Sequence, residues 1–163
     1  MPTVSNTSPI FNLASIGHLN LLSEQFSEVW IPGAVEKELQ GAPDETVRQA
    51  IDKAKTEEWL RPRSTSNSKL IKLLTLELHQ GEAEAIALAL EIQADHLLID
   101  EREGRVMAGR LGLPVTGVLG ILLRAKKMKR IKAIKAEIEA LKNKALFFIS
   151  RDLETAILTE AGE

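Results

Sequence analysis

Four oxygen-bearing residues stand where chemistry could use them. Asn6 follows the short Val4-Ser5 stretch, Glu38 lies six residues beyond Pro32, Glu82 comes just after Gly81, and Asp100 ends the run His96-Leu97-Leu98-Ile99. In open α/β sheets, ligands gather outside the carboxyl ends of the strands. Carboxylates converging there make a site for a hard divalent cation such as Mg²⁺, which takes oxygen ligands in an octahedron and keeps several waters. With one or two such ions, a water is activated and a phosphodiester is clamped for in-line attack. Each residue also has a plainer role open to it. Asp100 with Glu103 reads as a D-x-x-E capping box, and Glu82 and Glu84 fall in a first helical turn where the dipole favours negative charge. Glu38 reads equally as a solvent-facing acid and Asn6 as a turn residue. No spacing rule joins the four, so the residues alone define a candidate acidic site and leave both readings open.

Other chemistries are excluded more firmly. The chain has no cysteine, which removes disulfides, thiolate metal sites and cysteine nucleophiles together. Gly104 and Gly109 have P-loop spacing, but Arg110 follows them and no G-K-[ST] is present. No G-x-G-x-x-G follows a strand pattern, and no G-x-S-x-G elbow occurs. His18, His79 and His96 stand too far apart for zinc-site spacing.

The elements that must position these residues alternate between strand and helix. Val4-Ser5-Asn6 reads as a strand end, followed by a helix with Ser8 as its N-cap type and Pro9 in the first turn, ending at Gly17. Glu28-Val29-Trp30-Ile31 is a second strand. Pro32 opens a helix with Val35 and Leu39 inward, and Asp44 caps another that reaches about Trp59. The run from Arg61 to Ser68 is the most loop-like in the chain. Helices follow over Lys69–Leu78 and Glu82–Gln93, then a strand over His96–Ile99 and a helix over Glu101–Leu111. Pro114-Val115-Thr116 is a short strand, Gly117–Lys127 a helix, and Ile131, Ile134, Ile138 and Leu141 form an amphipathic stripe. Leu146-Phe147-Phe148-Ile149 reads as a last strand before a terminal helix from about Asp152. Such alternation predicts an α/β layer fold with a mainly parallel sheet. A length of 163 residues with no visible linker predicts one domain over 1–163. No apolar run approaches the ~18 residues of a membrane span, and the start of the chain lacks a signal-peptide pattern, so the expectation is a cytoplasmic protein.

Charge is unevenly spread. From Arg124 to Lys144 the chain carries nine Lys and Arg against two acids, on a molecule whose net charge is −2. That block is either a solvated helix or a surface for a polyanion.

The ordered motifs resemble the PIN-domain superfamily, in particular bacterial proteins related to VapC-type toxins. The resemblance rests on Val4-Ser5-Asn6-Thr7-Ser8-Pro9 with Asn12-Leu13-Ala14, on Ile31-Pro32 with Val35 and Glu38-Leu39, on Gly81-Glu82-Ala83-Glu84-Ala85-Ile86, and on Leu98-Ile99-Asp100-Glu101-Arg102 with Gly104-Arg105. It implies a three-layer α/β/α sandwich and a site of three or four acids that binds Mg²⁺ or Mn²⁺. Metal-dependent ribonuclease activity of toxin–antitoxin type, a small antitoxin partner and a homodimer are further implications. Matched motif by motif, the site acids fall on Asn6, Glu38, Glu82 and Asp100, with Ser8 as a lining hydroxyl; Glu84 is left open as an addition to Glu82 or a substitute for it.

One departure matters. The family's first acid is usually Asp, and Asn6 stands there. An amide oxygen still ligates a metal but brings no charge. At about 4 Å and an effective dielectric near 20, the lost charge pair is worth at most ~4 kcal/mol. Two expectations follow: an RNA-cleaving enzyme weakened by Asn6, or a degenerate domain that binds RNA or a partner without cutting. If RNA is the substrate, Lys126, Lys127, Lys129 and Arg130 are the expected phosphate contacts.

Overall fold

The computed structural model describes residues 2–163. Five short strands pair in parallel: β1 (Thr3–Ser5), β2 (Val29–Ile31), β3 (Leu60–Pro62), β4 (His96–Leu98) and β5 (Val115–Thr116). Their order in the sheet is β3-β2-β1-β4-β5. The chain therefore runs outward from β1 to β3, then returns to the other side of β1 for β4. The crevice between the carboxyl ends of β1 and β4 is the topological switch point, the place in such sheets where ligands settle.

The strands carry apolar side chains on both faces, as a parallel sheet covered on both sides requires. Val29, Ile31 and Leu98 meet one apolar cluster, while Val4, Leu97 and Ile99 meet the other. The first cluster is closed by α1 (Thr7–Ser15), α2 (Asn20–Phe26), α3 (Gly33–Gln40), α4 (Glu45–Thr56), α8 (Val118–Lys127) and α9 (Ile134–Lys144). The second is closed by α5 (Ser68–Leu74), α6 (Gln80–Glu91) and α7 (Arg102–Arg110). The last helix, α10 (Arg151–Glu160), has no fully buried residue. The result is the α/β/α sandwich expected from the sequence.

Helix α6 explains how the site acquires a buried acid. Its alternating alanines (Ala83, Ala85, Ala87, Ala89) are all buried, which lets the helix lie close to β1 and to α3, α5 and α7 at once. Glu82 sits in the first turn of this enclosed helix, and so it is 5% exposed.

Four expectations need correction. Helix α1 starts at Thr7 with Asn6 as its N-cap residue, so Ser8 lies inside the first turn and its hydroxyl is turned elsewhere. The helix capped by Asp44 ends at Thr56, although the cap itself forms, with the carboxylate accepting the N–H groups of Thr46 and Val47. Leu60-Arg61-Pro62 is a strand, not loop; it is an edge strand, the place where a sheet tolerates proline. Leu146–Ile149 is not part of the sheet. Its side chains alternate, with Phe147 and Ile149 packed on the core and Leu146 and Phe148 each 88% exposed, but no strand pairs with it.

Candidate metal and active site

A cavity of about 380 Å³ opens at the switch point and is lined by Asn6, Thr7, Ser8, Glu38, His79, Gln80, Glu82 and Glu101. Four segments build it: the β1–α1 junction, the second turn of α3, the first turn of α6, and the residue after Asp100. Asn6, Ser8, Glu38 and Glu82, all expected at the site from the sequence, come together here.

Glu101 binds the first segment to the last. The Asn6 side-chain N–H donates to Glu101 Oε2 at 3.0 Å, and the Ser8 hydroxyl donates to Glu101 Oε1. With its nitrogen so committed, Asn6 turns its amide oxygen toward Gly81, where Glu38 Oε1 also faces. A Cβ at Gly81 would lie 2.6 Å from that Glu38 oxygen and 3.3 Å from Asn6 Oδ1, so the bare glycine makes room for both. The second Glu38 oxygen accepts the Thr7 hydroxyl at 2.8 Å. Glu38 is exposed, and its hydroxyl partner restrains it at the cavity rim.

Glu82 is the most unusual group in the cavity. Its Oε1 accepts the His79 N–H at 3.2 Å, a capping contact that adds to the first-turn role expected of it. Its Oε2 is buried with no hydrogen-bond partner and faces the bare Cα of Gly104, where a Cβ would lie 2.8 Å away. Burial pushes this carboxyl above the ordinary glutamate range; the His79 N–H opposes the shift and the Glu101 charge adds to it. A buried carboxylate oxygen without a partner is costly, and an incoming cation relieves that cost.

Asp100 does not line this cavity. Consecutive side chains of an extended chain point to opposite sides, and Asp100 turns the other way from Glu101. Its Oδ1 accepts the Val118 N–H at the start of α8 at 2.9 Å, and its buried carboxylate also feels the buried Asn12 side chain. Burial raises its pKa to about 6; the Val118 N–H opposes the shift, the Glu101 charge adds to it, and the Arg105 charge and the Asn12 side chain pull it down. The bare Gly117 leaves room for both groups, since a Cβ would lie 2.6 Å from Asp100 Oδ1 and 2.8 Å from Arg105 Nη1. Asp100 and Arg105 instead form the polar end of a second cavity of about 500 Å³, lined mostly by apolar residues such as Leu119, Leu123, Phe147 and Phe148. The capping box expected between Asp100 and Glu103 is absent, because α7 begins one residue later with Glu101 at its N-cap.

Two further expectations resolve. Glu84 bonds Ala34 N–H at 3.1 Å and the Gln80 amide at 2.7 Å, closing the start of α3 without lining the acidic cavity. Of the basic block, Lys126 pairs with Glu163 at 2.8 Å, Lys127 with Glu160 at 3.9 Å and Arg130 with Glu24 at 2.6 Å. These residues sit at or beyond the last turn of α8, whose first turn touches Asp100, so about 12 Å of helix separates them from that end.

By donor type the cavity suits a hard divalent cation: three carboxylates and an amide oxygen, one carboxylate oxygen buried and unpartnered. As the side chains stand, Glu38 and Glu101 are held by Thr7, Asn6 and Ser8. No three His, Asp or Glu side chains among the described residues are gathered closely enough to hold an ion. Glu101, Thr7, His79 and Gln80 were missed by sequence reasoning. The adjacent Asp100-Glu101 pair was the available signal, since one of two neighbouring acids on an extended segment must face each side.

A family model described as a PIN domain matches residues 2–163. Among solved structures, a PilT N-terminus domain protein from the hyperthermophilic archaeon Sulfolobus solfataricus P2 shares the fold with a TM-score of 0.51 and 19% sequence identity, covering 77% of this chain and 93% of its own. No curated protein matches the chain. No helix among the described residues is long and apolar enough to cross a membrane.

Proposed function

The chain belongs to the PIN-domain family, a superfamily of nucleases, and from that premise we propose that it is a divalent-metal-dependent endoribonuclease of the toxin–antitoxin type. The observation that carries this reading is the convergence of Glu38, Glu82 and Glu101, from three separate elements, on one cavity at the switch point, with Glu82 Oε2 buried and unpartnered. Glu82, Glu101, Glu38 and the Asn6 amide oxygen would hold Mg²⁺ or Mn²⁺. Such an ion, when bound, supplies Lewis acidity toward a phosphoryl oxygen and a more acidic water. The chain's own groups set the stage. Asn6 and Ser8 fix the rotamer of Glu101, Thr7 restrains Glu38, and the enclosure of α6 keeps Glu82 dry. Gly81 and Gly104 leave the space in which the carboxylates sit.

Purified protein incubated with RNA and Mn²⁺ should cleave it, and Glu82→Gln should abolish cleavage. Undiminished activity in that variant would assign the cleavage to another nuclease and remove the proposal. A second reading, a domain that binds RNA without cutting, is favoured by one observation: the acids are not gathered tightly enough to hold an ion as they stand. It predicts a wild type inert with Mg²⁺ and Mn²⁺ at every pH that still retains RNA on a gel. Two partners complete the proposal. A small antitoxin is expected to inhibit the activity stoichiometrically, and a homodimer is expected in sedimentation at tens of micromolar, where a strict monomer would contradict it.

A further inference from the structure

An acidic cavity repels phosphates, and on a chain of net charge −2 some positive surface must draw a polyanion in. The block from Arg124 to Lys144 is poorly suited, since Lys126, Lys127, Arg130 and Lys142 already face carboxylates. The opposite edge of the sheet is different. Arg61 and Arg63, two residues apart on β3 and just past it, project to the same side, where Trp30 of β2 stands in register with Arg61. Their guanidinium carbons lie 4.9 Å and 5.6 Å from the centre of the Trp30 ring. Arg61 also bonds Glu28 at 2.8 Å, whereas Arg63 closes no ion pair within 4 Å among the described residues and acts on the Glu91 carboxylate only through its charge. Both arginines are exposed, and the Trp30 ring beneath holds them in place.

The position of this strip matters as much as its charge. Arg63 follows the carboxyl end of β3, where its N–H donates to Ile31 O at 2.9 Å. That is the same end of the sheet as the acidic cavity. Two strand spacings, about 10 Å, separate β3 from β1. The loop that continues from Arg63 is rich in hydroxyls and is tied down, with Thr65 and Ser66 both bonded to Glu91.

We propose that this edge, Arg61 and Arg63 stacked on Trp30 and continued by the Ser64–Asn67 loop, is the strip along which single-stranded RNA lies as it enters the acidic cavity. The proposal rests on RNA being the substrate. Guanidinium planes held against an indole offer N–H groups to phosphates and flat faces to unstacked bases, the two interactions that single-stranded RNA recognition uses.

Binding of a short fluorescein-labelled oligouridine, followed by anisotropy in EDTA over a range of KCl, separates this inference from the nuclease reading because nothing is cut. The Arg63→Gln variant should bind roughly tenfold more weakly, with the slope of log K against log salt reduced by about 0.7 for each phosphate that is no longer neutralised. Adding Arg61→Gln should deepen both effects, while Lys132→Gln with Lys144→Gln should leave the slope unchanged. Affinity and slope unaltered in Arg63→Gln overturn the proposal, as does a wild type that does not bind the oligonucleotide. Polyglutamate competing as well as RNA overturns it too, since the strip would then be an undiscriminating anion patch. RNA cleavage by a protein whose Arg63→Gln variant binds normally would discard the strip and leave the nuclease reading standing; binding through Arg63 with no cleavage under any metal would do the reverse.

Discussion

Asp100 and Glu101 are neighbours in the chain, yet their carboxyl groups end in opposite surroundings. Glu101 enters a cavity shared with Asn6, Ser8, Glu38 and Glu82, where every nearby group is polar. Asp100 turns to a cavity walled by Leu119, Leu123, Phe147 and Phe148, with Arg105 beside it and the start of α8 supplying its hydrogen bond. The polar side gathers the oxygens of the proposed metal site; the apolar side uses one carboxylate to fasten α8 to the end of β4. What separates the roles is the parity of an extended chain, not the residue type.

The comparison is broken most forcefully by exchanging charges across it. Glu101→Gln should lower RNA cleavage by roughly 100-fold or more, while Asp100→Asn, which keeps an oxygen for the Val118 N–H, should lower it less than about tenfold. The reverse ranking in a side-by-side rate assay would transfer the site to Asp100.

A pH titration of stability isolates the Asp100 side. Its folded-state pKa of about 6 lies above the ordinary 3.8, so the folded protein holds this proton more tightly than the unfolded chain. The stabilisation is therefore complete below pH ~3.8 and is lost as the pH rises through ~6, in total on the order of 3 kcal/mol. Urea melts of Asp100→Asn should show that slope flattened; an unchanged slope would mean that Asp100 is not the group responsible.

Asn6→Asp sharpens the polar side. It replaces the donor to Glu101 with a second carboxylate where the hydrogen bond is now 3.0 Å. Stability at neutral pH should fall by about 2 kcal/mol, and lowering the pH or adding Mn²⁺ should recover part of it. A variant as stable as wild type without metal would show that the Asn6–Glu101 bond contributes nothing. The smallest effect is expected at the rim of the apolar side. Phe148→Ser, at a side chain 88% exposed, should shift stability by less than ~0.5 kcal/mol, as a melt would register.

Much of this was legible in the sequence. The alternation of strands and helices, the Asp44 cap and the first-turn position of Glu82 all follow from local patterns that tertiary structure did not overrule. The misreadings fall at helix ends, where the caps before α1 and α7 are each displaced by one or two residues, and at the sheet's edges. Leu60-Arg61-Pro62 carries a proline that argues against a strand unless the strand is known to be an edge. Leu146–Ile149 has the alternation of a strand, but the sheet already ends at β5. At the site, Glu101 was passed over because the local sequence does not reveal which of two adjacent acids faces the switch point; the placement of α8 over Asp100 decides it. Glu24, Glu160 and Glu163 neutralise parts of the basic block from positions distant in sequence, which no local window could display.

Crystals grown or soaked with Mn²⁺, with anomalous scattering recorded at the manganese edge, test the central claim most directly. A peak is predicted in the cavity between Glu82 and Glu101, with Glu38 and the Asn6 amide oxygen turned toward it, and it should vanish in Glu101→Gln. A peak beside Asp100 on the apolar side, or one that survives intact in Glu101→Gln, would contradict the assignment.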